Sequence, residues 1–500
     1  MRSHLIFGLS IVPMMLACSA APPTTTGSPP SATSSVRAVV ERQGKSLAVD
    51  LVTTRFARKV GHSPLAASLR APWATAVASG APEGARVPDL TPIKLPVNPK
   101  YPAFQPDAPQ VVDNGAPTLS AMKIVTLTWA GDPFADALEA FGDGLGASPY
   151  WKSISEYGVG PASSGYPLHF RGASLPATIT DVELDALVQQ SVASSASGWP
   201  ANAPQQIYAV YLPPTTTFLV DNGDGTTTPA CQLFGAYHTA TQPVGPDGGP
   251  SGQSIIYSVM PRCPGYGIDT ITLASAHEFG EAATDSFATG QEAYVGFDPD
   301  HLAYDIYQGF QDEVGDACEF FEESSFEAPP PFTFNVQRLW SNASAMTGHN
   351  PCLPRVAGEA YYNTTTIAPL DDIDVDFTNV SAPGTCTPAT CTVPTKGIKV
   401  ALGQSRTFDI GFYSDAPTGD WTVHAFALPQ MPIPDYTGNP VLNGSVNVTI
   451  RGATGNNGHV AHVTVTPLTA GAMGVQYIEL QSGYGQYDEA HTLPILVSQN

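Results

Sequence analysis

The stretch Ala276-His277-Glu278-Phe279-Gly280-Glu281-Ala282-Ala283-Thr284-Asp285, AHEFGEAATD, decides how this chain is read. On a helix, His277 and Glu281 lie one turn apart and point to the same side, so one metal ion can reach both. Glu278 is rotated by about 100° from His277, where a carboxylate can take a proton from water held at that metal. Asp285 is expected a further turn along the same stripe. Ala274, Ala276, Gly280, Ala282 and Ala283 are small enough to let the helix approach a sheet closely. The familiar zinc-binding pattern is His-Glu-x-x-His, and here Glu281 replaces the second histidine. The same spacing also describes a surface helix whose Glu281 makes a salt bridge.

The residues before this helix alternate strand and helix signals. Lys123–Trp129 (KIVTLTW) reads as a buried strand, and Pro133 suits the first turn of a helix running to about Leu145. Thr180-Asp181-Val182-Glu183 is a capping box opening a helix to about Val192. Gln206–Leu212 reads as a strand. Cys231–His238 and Ser254–Cys263 read as a hairpin turning at Pro246-Asp247-Gly248-Gly249. The ligand-bearing helix is expected to start at Asp269 or Thr270. This order suits an α/β domain over residues 111–360.

After Tyr361 the helical signals stop. Ile398–Leu402, Ser405–Tyr413, Trp421–Leu428, Ser445–Arg451, His459–Thr466 and Gly474–Gln481 are short β-type runs separated by turn residues. They predict an all-β, Ig-like sandwich over 361–500. No catalytic constellation stands out there. His459 and His462 are three apart in a strand and so face opposite ways.

Forty-four acids against 21 bases give a net charge of −23, which argues against nucleic acid or an anionic membrane surface as partner. At the N-terminus, Arg2 and His4 precede a mostly apolar run, Leu5–Ala17, too short for a permanent membrane span. Met15-Leu16-Ala17-Cys18 reads as a lipoprotein signal, residues 1–18, with Cys18 as the lipidated residue of an exported, envelope-anchored protein. An ordinary signal peptide cut near Ala20 or Ala21 is the alternative. Residues 19–110 read as a Pro-rich tether and possible pro-segment. They include a basic, helix-compatible patch, Arg37, Arg42, Lys45, Arg55, Arg58 and Lys59.

Export makes the other six cysteines a disulfide question. The midpoint of residues 231 and 263 falls in the hairpin turn, which pairs Cys231 with Cys263. Cys386 and Cys391 can close a small loop, leaving Cys318 with Cys352. No Cys-x-x-Cys occurs, which argues against a zinc knuckle. Asp221-Asn222-Gly223-Asp224-Gly225 and Asp298-Pro299-Asp300 read as turns, since neither completes a calcium loop.

His277-Glu278-x-x-Glu281-Ala282-x-Thr284-Asp285, followed by Glu313-Val314-Gly315-Asp316-Ala317-Cys318, resembles the EXORDIUM-like, phosphate-induced secreted proteins and related bacterial zincin-like proteins. Gly235-Ala236-Tyr237-His238 and Val336-Gln337-Arg338-Leu339-Trp340-Ser341-Asn342 add to it. The resemblance covers roughly 115–355 and none of the sandwich. Ser286, Val314 and Ala317 depart mildly from the family pattern. It implies a zincin-like α/β domain and zinc, or another divalent ion, on His277 and Glu281. The favoured third ligand is Glu313, with Asp285 and Asp316 as alternatives; Asp316 could instead orient His277. Glu278 would be the catalytic carboxylate, and Tyr237, His238 or Tyr304 could steady an oxyanion. Such a protein would be a metallopeptidase acting on a peptide or envelope polymer. A non-catalytic surface protein with a structural metal helix is the rival expectation.

Overall fold

The computed structural model describes two strands between 35 and 52 and residues 100–499. Within the latter it omits 195–196, 222–224, 244–251, 287–292, 309–312, 320–323, 354–359, 379–390, 428–429, 435–439, 443 and 484–490. Cys18, the tether at 20–34, Cys386 and the centres of the 221–225 and 246–249 turns therefore lie outside the described residues.

The stretch read as helix-compatible is instead a hairpin of β1 (Ser35–Arg42) and β2 (Lys45–Val52). Its sequence alternates with a period of two, and the antiparallel register pairs Val36 with Leu51, Ala38 with Val49 and Val40 with Leu47. That alternation outweighs the helix compatibility of the basic residues.

The central domain is built on a five-stranded mixed sheet. Its elements are β3 (Lys123–Trp129), α1 (Ala135–Leu145), β4 (His169–Gly172), α2 (Asp181–Ala193), β5 (Gln206–Tyr211), β6 (Tyr237–Thr241), β7 (Ile255–Met260) and α3 (Ile268–Thr284). The strand order is β6-β7-β5-β3-β4. All neighbours are parallel except β6, the antiparallel edge strand. Alternation along β5 sends Ile207, Ala209 and Tyr211 to one face and Tyr208 and Val210 to the other. The first face is covered by α1 and α3, through Leu138, Phe141, Ala276 and Phe279. The second is covered by α2, through Leu184 and Val188. Each fully buried large side chain contributes about 1.5–3 kcal/mol of hydrophobic stabilisation.

The expected capping box is present: Thr180 Oγ1 accepts from Glu183 N–H at 3.1 Å and Glu183 Oε2 from Thr180 N–H at 2.9 Å. The small face of α3 also behaves as expected. A Cβ on Gly280 would lie 2.7 Å from Leu339 Cδ1, so any larger residue would force the Leu339 side chain to shift. The helix begins one residue early and stops at Thr284; Asp285 is extended and leaves the stripe.

Two disulfides join Cys231 to Cys263 and Cys318 to Cys352. The first pairing follows the hairpin argument, but the strands are shorter than expected. Cys231 sits in a 3-10 turn (Ala230–Gln232), because Pro229 and the turn geometry end the strand pattern before it. Cys391 is also disulfide-bonded. These bonds belong to an extracellular or otherwise oxidising compartment. No helix among the described residues is long and apolar enough to cross a membrane.

After α3 come α4 (Leu302–Gln308), α5 (Asp316–Glu319) and the short strand β8 (Asn335–Gln337). The C-terminal region comprises β9 (Tyr362–Thr366), β10 (Asp371–Asp376), β11 (Thr392–Lys399), β12 (Arg406–Ser414) and β13 (Trp421–Ala427). It continues with β14 (Val446–Arg451), β15 (Thr454–Gly455), β16 (Val460–Pro467), β17 (Val475–Gly483) and β18 (His491–Ser498). A four-stranded sheet, β9-β12-β16-β14, faces a six-stranded one, β10-β11-β18-β17-β13-β15. Ile410, Phe412 and Val463 from the first meet Trp421, Ile478, Leu480 and Ile495 from the second in one core. His462 pairs with Asp409 at 2.6 Å, and His459 Nε2 lies 2.7 Å from Gly452 O, so both are structural.

The two domains share a junction. Leu302, Ala303 and Ile306 of α4 pack with Ile373, Val375, Tyr477 and Leu496 of the sandwich. Residues 100–107 run over the other sheet, where Ala103 N–H donates to Asn457 Oδ1 and Asp107 N–H to Thr365 Oγ1. This part of the Pro-rich segment is packed rather than a solvated tether.

Candidate metal centre

Three elements converge at the middle of α3. The helix supplies His277, Glu278 and Glu281; edge strand β6 supplies His238; the segment entering α5 supplies Glu313, Gly315 and Asp316. His238 shares the α3-facing side of β6 with Ala236 and Ala240, as the two-residue period requires. His277, Glu278, Glu281, Asp285 and Asp316 are at most 2% exposed, and His238 and Glu313 are 8% exposed. A surface helix with a solvated Glu281 is therefore excluded.

His277 Nε2 lies 2.8 Å from Glu281 Oε1 and 3.4 Å from Asp316 Oδ1. Asp316 N–H donates to Glu281 Oε1 at 3.0 Å and fixes that carboxylate. On the far side, His277 Nδ1 is 3.0 Å from Gln337 Oε1, while Gln337 Nε2 donates to Gly315 O at 2.6 Å. Because Gly315 O can only accept, the amide oxygen of Gln337 faces the histidine. His277 must then carry its proton on Nδ1, which leaves Nε2 turned toward Glu281 and Asp316 as a ligand.

A second group adjoins the first. His238 Nδ1 lies 3.2 Å from Glu278 Oε2 and 3.7 Å from Glu281 Oε2. His238 Nε2 is 2.9 Å from Asp285 O and 3.7 Å from Glu313 Oε1. Of the expected ligands, then, the fold gathers His277, Glu281 and Asp316. Glu313 stands beside His238, and Asp285 takes part through its backbone carbonyl. Asp316 also lies within ion-pairing distance of His277, as an orienting residue would. Neither expected tyrosine lines the centre. Tyr237 points to the opposite sheet face, against Phe218, Phe234 and Tyr257, and Tyr304 packs on Phe297 with its hydroxyl toward Thr492 O. Gln337 was not singled out from the sequence, although it stands in the Val336–Asn342 segment that carried part of the resemblance.

Burial raises Glu281 to about 7, even with His277 opposing. Burial and the neighbouring Glu281, Asp285 and Asp316 hold Glu313 well above the ordinary carboxylate range. Asp316 is raised by burial and held back in part by His277. Burial alone would lower His277 and His238, but Glu281 and Asp316 outweigh it at the first and Glu278 at the second, so both are raised. One proton shared by His277 and Glu281 accounts for both directions at that pair.

The donor set fits a divalent cation. Among the described residues the ion pairs of Glu281, Glu313 and Asp316 are all to histidines. Glu313 Oε1 and Asp316 Oδ1 are buried and accept no hydrogen bond. Buried carboxylate oxygens in that state are costly unless a proton or a cation meets them. His277, Glu281 and Asp316 offer ligand atoms within 4.8 Å of one another, as do His238, Glu278 and Glu281. One imidazole nitrogen with two carboxylate oxygens suits zinc, manganese or ferrous iron rather than a soft, thiolate-seeking ion. No family model matches the chain, and no curated protein matches it.

Proposed function

We propose that this chain is an exported, envelope-anchored metallohydrolase with a zincin-like central domain, and that its substrate is a peptide bond in a peptide or envelope polymer. The carrying observation is the buried His277–Glu281–Asp316 group with the Glu278–His238 pair beside it. His277, Glu281 and Asp316 would hold the cation, which supplies the Lewis acidity that polarises a carbonyl. Glu278 would take the proton of the attacking water and pass it to the leaving amine, with His238 fixing the carboxylate. Gln337 keeps His277 in the ligating tautomer. The C-terminal sandwich and the expected Cys18 anchor would hold this domain at the envelope.

The near-complete burial of the group supports a second reading, a closed structural metal centre in a non-catalytic binding protein. The experiment is hydrolysis of a broad peptide library by the zinc- or manganese-loaded full chain and by its Glu278→Gln variant. Cleavage that falls by about 10²–10⁴-fold in the variant, with the cation at His277, Glu281 and Asp316 retained, supports the hydrolase. A metal-loaded parent that cleaves nothing sinks it in favour of the structural centre.

A further inference from the structure

We infer that the centre is built for two divalent cations bridged by Glu281. This rests on the reading of His277, Glu281 and Asp316 as one cation site and adds a second on His238, Glu278 and Glu281, with Glu278 then a ligand through one oxygen and its other oxygen left to take the proton of water. The two oxygens of Glu281 face different histidines: Oε1 toward His277 Nε2 at 2.8 Å, and Oε2 toward His238 Nδ1 at 3.7 Å. Each histidine has its own further carboxylate, Asp316 at 3.4 Å from His277 and Glu278 at 3.2 Å from His238. Ligand atoms bound tetrahedrally at about 2.0–2.1 Å stand about 3.3 Å apart, and these separations lie around that value.

The two histidines are set in the same way. His277 turns its outer nitrogen, Nδ1, to Gln337 Oε1. His238 turns its outer nitrogen, Nε2, to the carbonyl of Asp285, which can only accept, and so carries its proton there. Each inner nitrogen is thereby the one turned toward Glu281 and open to a cation. Among the described residues Asp316 Oδ1, beside the inner nitrogen of His277, is buried and accepts no hydrogen bond, whereas Glu313 Oε1 lies 3.7 Å from the outer nitrogen of His238 and stands outside the second site.

The unusual residue of AHEFGEAATD then has a reason. A histidine at 281 could bind one cation through one nitrogen, whereas a carboxylate can bridge two, about 3.5–4 Å apart.

The test uses the full chain, stripped with chelator, loaded with Zn²⁺, desalted and assayed by elemental mass spectrometry. Two zinc ions per chain in the parent, one in His238→Ala and one in His277→Ala are expected. One ion in the parent, retained in His238→Ala, overturns the second site and leaves the first standing; none in the parent overturns both. Because a variant can misfold, the Mn²⁺-loaded parent is also measured by electron paramagnetic resonance. A spin-coupled pair supports the bridge, and only isolated-ion signals at full loading overturn it.

Discussion

Gly315→Ala should disable the metal centre without altering any ligand. A Cβ there would lie 2.6 Å from Glu281 Oε1, 2.8 Å from His277 Nδ1 and 3.0 Å from His277 Cε1. Ordinary van der Waals contact begins near 3.4 Å, so something must move by about 0.8 Å, against a metal–ligand tolerance of about 0.2 Å. Glu281 cannot swing aside cheaply, because the Asp316 N–H and His277 Nε2 hold its Oε1 in a solvent-free site. His277 is tied on its other edge to Gln337. The methyl group should therefore cost about 1–3 kcal/mol of stability as overpacking. It should also cost about 10–100-fold in Zn²⁺ affinity, as loss of a supporting contact does. Calorimetric titration of stripped parent and variant with Zn²⁺, beside thermal melts, reads both numbers. A variant that folds and binds Zn²⁺ as the parent does would refute the placement of Gly315 against the ligands.

Gln337→Leu should take from the His277 Nδ1–H its Gln337 acceptor, while the Gly315 carbonyl keeps the Cys318 N–H, costing about 1–3 kcal/mol in the melt and about 10–100-fold in metal affinity. Gln337→Glu, which keeps the acceptor for His277, should recover part of the affinity; equal loss in both variants would argue against the tautomer role. Because burial raises Glu281 to about 7 and His277 is also raised, the metal-free pair retains a proton at pH 6 that a cation must displace. The stability that the raised Glu281 pKa gives the metal-free chain is full below its ordinary value of 4.5 and is lost as pH rises through about 7. Zn²⁺ binding at pH 6 should thus release protons, fewer at pH 8, and affinity should rise with pH; heats independent of buffer ionisation at pH 6 would contradict this. Cys318→Ser with Cys352→Ser opens a 34-residue loop and should cost about 4 kcal/mol in denaturant unfolding. It should also weaken metal binding, because that loop carries Gln337 and joins directly to Asp316.

Much of this architecture is legible in the sequence because local chemistry is strong there. KIVTLTW forms the strand over the residues expected, and the Thr180–Glu183 capping box fixes a helix start to the residue. In the C-terminal region five of the six expected runs became strands within two residues at either end, bounded by turn residues, whereas Ile398–Leu402 overlaps only the last two residues of the strand Thr392–Lys399. Tyr362–Thr366, Asp371–Asp376 and His491–Ser498 were missed: the first is largely polar and buried, the second carries four aspartates on a half-buried strand, and the third is a buried central strand without the polar alternation of a half-exposed one. At the centre, His277 and Glu281 follow from helical spacing alone. His238 could be placed on a strand but not against α3, since sequence does not say which strand ends the sheet beside which helix. The choice between Glu313 and Asp316 depends on the turn at Gly315, which no periodicity encodes.

The junction at α4 has a consequence for biogenesis. This helix lies in the chain between the HExxE helix and the carboxylates at 313 and 316, yet part of its apolar cover, Leu496, comes from the last strand. α4 therefore cannot reach its final packing until nearly the whole chain has been made, and a chain truncated after the central domain would leave α4 without that cover.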